Sequence, residues 1–191
     1  MDNFIFCNEI DLDQLSLGEK NPKYLSGIPI LYKDSELYLH TPKLKVPFRL
    51  FDRKTRTGKI FKKQLVMNLP MDTPDKHVIA FKEFLQKFDQ RCLELSGLVE
   101  DPSTTWYKST FTKKDLNGSE KTTFGVDVRV GYNDPNTIIV DAFDKEHNAI
   151  DVHDGTFAGH HVTCIVKFEG MWKSNDKMGM NWTVVQIRLC D

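Results

Sequence analysis

The sequence lacks the patterns that mark several large classes of protein. No stretch approaches the ~18 consecutive apolar residues that a membrane-spanning helix requires, and the acidic start MDNFIFCNEIDLD has neither the basic nor the apolar part of a secretory leader. The four cysteines are scattered without a C-x-x-C pair, which is typical of free thiols in a reducing compartment. We therefore expect an intracellular protein with no membrane association.

Motifs of enzyme chemistry are also lacking. The sequence contains no G-x-x-x-x-G-K-[ST], G-x-G-x-x-G or G-x-S-x-G motif. Potential metal ligands are densest between Asp141 and His161, where His153, His160 and His161 accompany several carboxylates, but their spacing matches no metal motif. We predict no metal, no cofactor and no catalytic residue. A metal-dependent enzyme centred on these histidines is the least favoured of three readings.

What the sequence does contain is a strongly uneven distribution of charge. The net charge is −1, yet the segment Lys43–Lys63, here called the basic stripe, carries +8 and the rest of the chain −9. Positive charge follows a phosphate backbone and aromatic rings stack on unpaired bases, so this composition favours binding of single-stranded nucleic acid. The alternative is a solvated basic face with its phenylalanines in the core. The stripe contains Lys43, Lys45, Phe48, Arg49, Phe51, Arg53, Lys54, Arg56, Lys59, Phe61, Lys62 and Lys63.

Short strand-like segments dominate the chain. Two hairpins are predicted, one pairing 28–32 with 36–40 and one pairing 46–51 with 59–67 through a polar turn at 53–58, which places the basic stripe on two strands and a turn. Phe48 and Phe51 have opposite parity in an extended strand, so regular geometry would expose only one of them. Further strands are predicted at 105–111, 124–130, 137–143, 149–152, 162–168 and 182–189.

One amphipathic helix interrupts the strands. Thr73 is the predicted N-cap, Pro74 fits the first helical position, and Gly97 is the predicted stop. The spacing of three and four residues between apolar side chains predicts a single buried face, which contains Val78, Phe81, Phe84, Leu85, Phe88, Cys92 and Leu95.

The order of these elements indicates the fold class. Strands, one helix and more strands, without a regular βαβ alternation, favour a mainly β Greek-key barrel over a doubly wound sheet. A helix in the middle of the strands is typical of the five-stranded OB barrel. We predict an OB-fold-like barrel with one long α-helix and additional strands, forming a single domain over residues 1–191.

The C-terminal hairpin carries a second signal and a family resemblance. An apolar strand leads to Trp172, a loop with Lys173 and Lys177, then Gly179, Trp182 and the strand Val-Val-Gln-Ile at 184–187. This pattern resembles the single-stranded DNA-binding proteins of nucleocytoplasmic large DNA viruses, which are similar to the OB-fold replication proteins of short-tailed phages. The resemblance implies a non-catalytic role in viral DNA replication or recombination, in the cytoplasm or nucleus of an infected host cell.

One departure from that family concerns partners. The phage proteins end in an acidic tail that contacts replication proteins, whereas this sequence ends in Arg-Leu-Cys-Asp at 188–191. We therefore do not expect recruitment through a tail. Other contacts with viral replication proteins, binding of RNA and assembly into a homo-oligomer all stay open.

Together the two signals predict a protein that binds single-stranded DNA without strong sequence preference. Basic residues would neutralise phosphates in a groove, and some of the aromatic side chains would stack on bases. The main alternative is a structural or adaptor protein of a virion or assembly, which would use the basic stripe to bind an acidic partner. The predicted contacts are the twelve residues of the basic stripe together with Trp106, Tyr107, Trp172, Lys173, Lys177 and Trp182.

Overall fold

The computed structural model describes residues 4–19, 27–70, 73–98, 100, 102–114 and 118–191. Within these residues the chain forms fifteen strands, one long helix and two short 3-10 turns at Cys7–Glu9 and Leu12–Gln14. This content confirms the predicted mainly β class with one helix. The elements are β1 (Phe4–Phe6), β2 (Leu15–Leu17), β3 (Gly27–Ile28), β4 (Ile30–Tyr32), β5 (Tyr38–His40), β6 (Leu44–Lys45), β7 (Phe51–Lys54), β8 (Ile60–Leu69), α1 (Lys76–Ser96), β9 (Thr105–Tyr107), β10 (Thr110–Lys114), β11 (Glu120–Val130), β12 (Ile138–Ile139), β13 (Asp141–Phe143), β14 (His161–Ser174) and β15 (Lys177–Leu189).

Most of the strands belong to one large sheet. Its neighbours run in the order β1-β5-β14-β15-β11-β8-β7, and shorter strands pair along its edges. The antiparallel hairpin of β14 and β15 is the longest pairing, and β15 meets β11 in parallel at Asp127 and Thr183. The order is therefore not sequential, as expected for a Greek-key rather than a meander arrangement.

The hairpin of the basic stripe forms, with shifted bounds. Strand β7 pairs antiparallel with β8, as the sequence predicts, but residues 46–50 lie outside β7, and β6 pairs with β14 instead. The predicted hairpin of 28–32 with 36–40 is wrong. Lys33 and Asp34, both at positive φ, close a turn with one bridge between Tyr32 and Ser35. The chain then diverges, because β5 pairs with β14 and buries Leu39 in the core, whereas β4 pairs with β2.

Three other predicted strands differ from the structure. The strand expected over 137–143 is divided into β12, which pairs with β11, and β13, which pairs with β15. The strand expected over 105–111 is interrupted at Lys108 and Ser109, between β9 and β10. The segment 149–152 forms only one bridge, between Ala149 and Phe143. The predicted strand at 124–130 is confirmed within β11, with Phe124 and Val126 in the core.

Helix α1 begins later than predicted and ends as predicted. Asp75 is the N-cap, because its carboxylate accepts the backbone N–H of His77 at 2.8 Å, and Thr73 lies before it. Gly97 ends the helix at φ 66°, a left-handed conformation that favours glycine. The predicted apolar face is buried except for Leu95, which is half-buried.

The helix packs on the inner face of the sheet. The ring of Phe81 contacts Phe124 with centroids 5.5 Å apart, and Phe88 contacts Phe168 and Trp182 at 4.8 and 5.3 Å. The buried apolar side chains form one cluster. Since the helix covers this face, the opposite face of strands β7, β8 and β11 is left for other contacts.

Two further properties of the described residues concern membrane-spanning helices and the state of the cysteines. No helix in this part of the chain is long and apolar enough to cross a membrane. The four cysteines are free thiols, and burial raises the pKa of Cys92 and Cys164.

Candidate nucleic-acid interface

A groove of about 950 Å³ crosses the outer face of the sheet. Successive residues of a strand point to opposite faces, so β8 sends Leu65, Met67 and Leu69 into the core and Gln64, Val66 and Asn68 into the groove. Cross-strand partners share a face, which adds residues of β7, β10 and β11 to the same lining. The segment from Thr105 to Lys113 and the hairpin of β14 and β15 complete the lining.

Two phenylalanines of the basic stripe lie together at one side of the groove. Phe48 and Phe51 are 58% and 44% exposed, and their ring centroids are 5.9 Å apart in an edge-on arrangement. The prediction that only one of them is exposed is therefore wrong. The prediction assumed that both residues lie in one extended strand. Phe48 instead lies in a bend before β7, where strand alternation does not apply.

A second aromatic pair comes from β9 and β14. The rings of Tyr107 and Trp172 are stacked at 5.8 Å, with an angle of 30° between their planes. Both residues lie opposite Gly179 of β15 in register. A Cβ atom at position 179 would lie 2.9 Å from three atoms of the Trp172 ring, which is closer than carbon atoms pack. Glycine at 179 therefore allows the indole to lie flat over the strand.

Phe111 of β10 and three lysines near it line the groove although they are not among the predicted contacts. Phe111 is 66% exposed and lies opposite Thr123 of β11, on the groove face. The signal was available, since residues 105–114 read TWYKSTFTKK, with the same mixture of aromatic and basic side chains as the basic stripe. The lysines missed in the groove are Lys108, Lys113 and Lys121.

Positive charge dominates the described lining of the groove. Its basic side chains are Arg53, Lys108, Lys113, Lys121 and Lys177, and its one acidic side chain is Asp127.

Asp127 partly compensates this positive charge. Its carboxylate is almost buried and accepts Lys62 Nζ at 2.8 Å and Arg53 Nη1 at 3.3 Å. The charges of Lys62 and Arg53 are therefore already engaged by Asp127. The lysines of β10, β11 and β15 lie on the opposite side of the groove.

The indole of Trp106 also lies at the groove, but the side chain of Lys108 covers one of its faces. Trp106 is half-buried against the core, and the ammonium of Lys108 lies 4.3 Å from its ring centroid. Lys108 also pairs with Glu100 at 3.5 Å. Trp106 is therefore a wall of the groove rather than an open stacking surface.

Two predicted contact residues have no accessible surface for a nucleic acid. Lys63 is 2% exposed and its ammonium lies 2.8 Å from Asp52 and 2.9 Å from Asp154. Burial lowers the pKa of Lys63, but the two carboxylates outweigh it and hold this pKa above its ordinary value. Trp182 is also 2% exposed, and its indole N–H donates to Ser109 Oγ at 2.8 Å. Both side chains support the structure and neither can reach DNA.

The rest of the basic stripe lies outside the groove lining. Phe61 is exposed and lies at an irregularity of β8, where the pairing with β7 shifts from Arg53–Lys62 to Lys54–Ile60. The turn between β7 and β8 extends from one end of the groove and is fully exposed, with Lys59 Nζ 5.3 Å from the Tyr132 ring centroid. Lys62 reaches the groove only through its bond to Asp127. The other predicted residues outside the lining, all exposed, are Lys43, Lys45, Arg49, Lys54, Arg56, Lys59 and Lys173.

The histidine-rich segment is engaged in local contacts. His161 Nδ1 lies 2.8 Å from the carboxylate of Asp191, and this hydrogen bond lowers the pKa of Asp191 to about 2. His153 Nδ1 accepts the backbone N–H of Gly155. No group of three or more His, Cys, Asp and Glu side chains in the described ranges is arranged to hold a metal ion.

Comparison with known proteins adds a family and a fold. Residues 59–191 match the family described as "Family of unknown function (DUF5871)". No protein of curated function matches the chain.

The solved structures that resemble this chain come from bacteriophages. The single-stranded DNA-binding protein of bacteriophage Enc34, in complex with ssDNA, matches with a TM-score of 0.52 and 13% identity, over 93% of this chain and 95% of that chain. A second structure of the single-stranded DNA-binding protein of Enc34 matches with a TM-score of 0.52 and 12% identity, over 93% of this chain and 89% of that chain. The single-stranded DNA-binding protein gp2.5 of bacteriophage T7 has a TM-score of 0.49 and 10% identity, over 81% and 86%. The likeness to the Enc34 protein shows that the fold is shared.

Proposed function

We propose that this chain, which belongs to the family of unknown function DUF5871, binds single-stranded DNA in the groove described above. The observation that carries the proposal is the combination of open aromatic rings and basic side chains along one groove of the sheet. The fold supports it, because the Enc34 protein that shares this fold is a single-stranded DNA-binding protein solved with ssDNA.

Bases would stack on three aromatic surfaces of the described lining. These are the pair of Phe48 and Phe51, Phe111, and the pair of Tyr107 and Trp172. Each stacked base contributes about 1–3 kcal/mol and every base has a flat face, so binding on such surfaces tolerates any sequence. A duplex hides these faces inside its own stack, and the groove should therefore prefer single strands.

Phosphates would lie along Lys108, which lies between β9 and β10, and along the lysines of β10, β11 and β15. Four contacts, made by Lys108, Lys113, Lys121 and Lys177, would give a slope of log affinity against log salt of about −3, at roughly 0.7 per contact for single strands. Affinity should then fall by about 50-fold between about 50 and about 200 mM salt. We place the exposed turn of β7 and β8, with Lys54, Arg56 and Lys59, on the path of a strand that leaves the groove.

The experiment is a titration of intrinsic tryptophan fluorescence with oligothymidine and with a duplex of equal length, at the two salt concentrations. Quenching by the single strand at the half-buried Trp172, weak binding of the duplex and the salt slope given above are the expected results. A matched pair of variants locates the site. Lys113→Gln with Lys177→Gln should weaken binding and reduce the slope by about 1.4, whereas Lys43→Gln with Lys45→Gln, outside the groove, should change little. Equal affinity for duplex and single strand, or equal effects of the two pairs, would refute the proposed site.

In the cell we propose that the protein holds single strands during DNA replication or recombination, as a binding protein without catalysis. The C-terminal hairpin supports a relation to the single-stranded DNA-binding proteins of nucleocytoplasmic large DNA viruses. That relation and contacts with viral replication proteins stay predictions.

A further inference from the structure

A carboxylate lies among the apolar residues on the buried face of α1. Asp89 is 3% exposed, one position after the core residue Phe88 and three before Cys92. Burying a charged group is costly unless hydrogen bonds replace its water. The partners of Asp89 therefore indicate what this residue does.

Both carboxylate oxygens of Asp89 are bound by one residue across the core. The backbone N–H of Ser109 donates to one oxygen at 2.7 Å and the Ser109 hydroxyl donates to the other at 2.5 Å. The Ser109 oxygen in turn accepts the indole N–H of the buried Trp182 at 2.8 Å. With the carboxylate ionised, every donor in this series of hydrogen bonds has an acceptor, from Trp182 through Ser109 to Asp89.

Ser109 occupies the point where the lining of the groove changes strands. Strand β9 ends at Tyr107 and β10 begins at Thr110, so the backbone N–H of Ser109 bonds to Asp89 instead of a neighbouring strand. Tyr107 lies two residues before Ser109 and Phe111 two residues after it, and both rings face the groove.

We propose that Asp89 is a positioning residue of the groove: through Ser109 it holds the junction of β9 and β10, and thereby sets the places of Tyr107 and Phe111. The expected effect of Asp89 on DNA affinity rests on the proposed function. Its expected effect on the junction of β9 and β10 rests on geometry alone. The buried Trp182 contributes to the same positioning, since its indole N–H completes the series of hydrogen bonds.

The hydrogen bonds between Ser109 and Asp89, here called the link, should strengthen when Asp89 ionises. Burial raises the pKa of this carboxyl to about 7, and the two hydrogen bonds from Ser109 act against that rise. The two hydrogen bonds from Ser109 are stronger when the Asp89 carboxyl group is ionised. When this group is protonated, one of its oxygens carries the proton, and one of the two hydrogen bonds is lost. The other charged or titratable groups near this carboxylate are Lys108 and Cys92.

The test uses two readouts on the full chain. Hydrogen exchange of amides 105–111 reports the junction itself, and oligothymidine affinity reports the groove. Ser109→Ala removes both hydroxyl bonds and should speed exchange at the junction more than in β14 and β15, and weaken affinity by about fivefold or more, as for one lost stacking contact. Asp89→Asn can still accept the Ser109 N–H and donate to its hydroxyl oxygen, so it should retain most of the affinity.

A pH profile separates positioning from a general structural role. The ratio of wild-type to Asp89→Asn affinity should rise from about pH 6 to about pH 8, because only the wild type gains the ionised link. Lys108 and Cys92 are present in both proteins, so those of their effects that do not depend on the charge of Asp89 cancel in the ratio. Val78→Ala, a core change about three turns before Asp89 in the same helix, is the control and should lower stability without changing the affinity of the folded protein.

The outcomes are distinguishable from those of the proposed function. If the wild type fails to bind oligothymidine, the proposed function is refuted while the exchange readout still tests the junction. Unchanged exchange at 105–111 in Ser109→Ala overturns the positioning role. An affinity loss in Val78→Ala equal to that in Ser109→Ala, or a flat ratio across pH, overturns it as well.

Discussion

The substitution Gly179→Ala tests whether Trp172 is a stacking surface without removing the tryptophan. A methyl group at position 179 would lie 2.9 Å from three atoms of the indole, and no rotation of the methyl relieves that contact. The ring must leave its place over β15 and its stacking on Tyr107. The backbone at 179 has an ordinary φ, so alanine fits the strand itself.

The expected loss follows from the stacking contact. One base–aromatic stack is worth about 1–3 kcal/mol, so Gly179→Ala should weaken oligothymidine affinity by about 5- to 150-fold. Trp172→Ala should cost a similar amount. Because both changes remove the same surface, the double variant should lose no more than Trp172→Ala alone, within about 0.5 kcal/mol.

The assay is anisotropy of a labelled oligothymidine, which does not depend on the tryptophans of the protein. Gly125→Ala is the matched control, since it also adds a methyl group to a strand glycine of the groove. Its methyl would meet the flexible end of Gln64 at 2.9 Å, which can move aside, and no ring is displaced. If Gly125→Ala weakens binding as much as Gly179→Ala, or if the effects of Gly179→Ala and Trp172→Ala simply add, Trp172 is not the stacking surface that Gly179→Ala removes.

Three further predictions concern charge. Lys63→Met should lower the free energy of unfolding by about 1–3 kcal/mol in urea titrations, because it strands two partly solvated carboxylates, while oligothymidine affinity stays unchanged. Asp127→Asn releases Arg53 and Lys62 toward the groove, and should tighten binding at low salt and steepen the salt slope; weaker binding would contradict this. The folded pKa of Asp89 is raised to about 7, so the stability that its neutral form contributes is complete below about pH 4 and is lost as pH rises to about 7. Thermal unfolding from about pH 4 to about pH 8 should show this fall, on the order of a few kcal/mol, in the wild type but not in Asp89→Asn.

The features that the sequence predicts well are those set by neighbours along the chain. The buried face of α1 and its stop at Gly97 follow from helical spacing and from the left-handed conformation that glycine adopts. The alternation of β11, with Phe124 and Val126 inward, follows from strand geometry in the same way. The pairing of β7 with β8 was also predicted, because a short polar turn links two β-rich segments.

Which side chains line the groove could not be predicted from local patterns. Lys63 belongs to the basic stripe by composition, but Asp154, from a distant part of the chain, lies beside it and buries its charge. Phe48 is exposed because the chain bends before β7, and Phe111 because β10 pairs with β11 on the groove side.

The sequence by itself determined a mainly β chain with one amphipathic helix, a concentrated positive charge and a glycine between two tryptophans in its last hairpin. Only the tertiary structure decided that aromatic side chains from three separate segments, near residues 50, 110 and 172, share one groove with lysines from β10, β11 and β15. The reason is physical: periodicity depends on the geometry of a single element, whereas exposure and proximity depend on the long-range partner that covers each face.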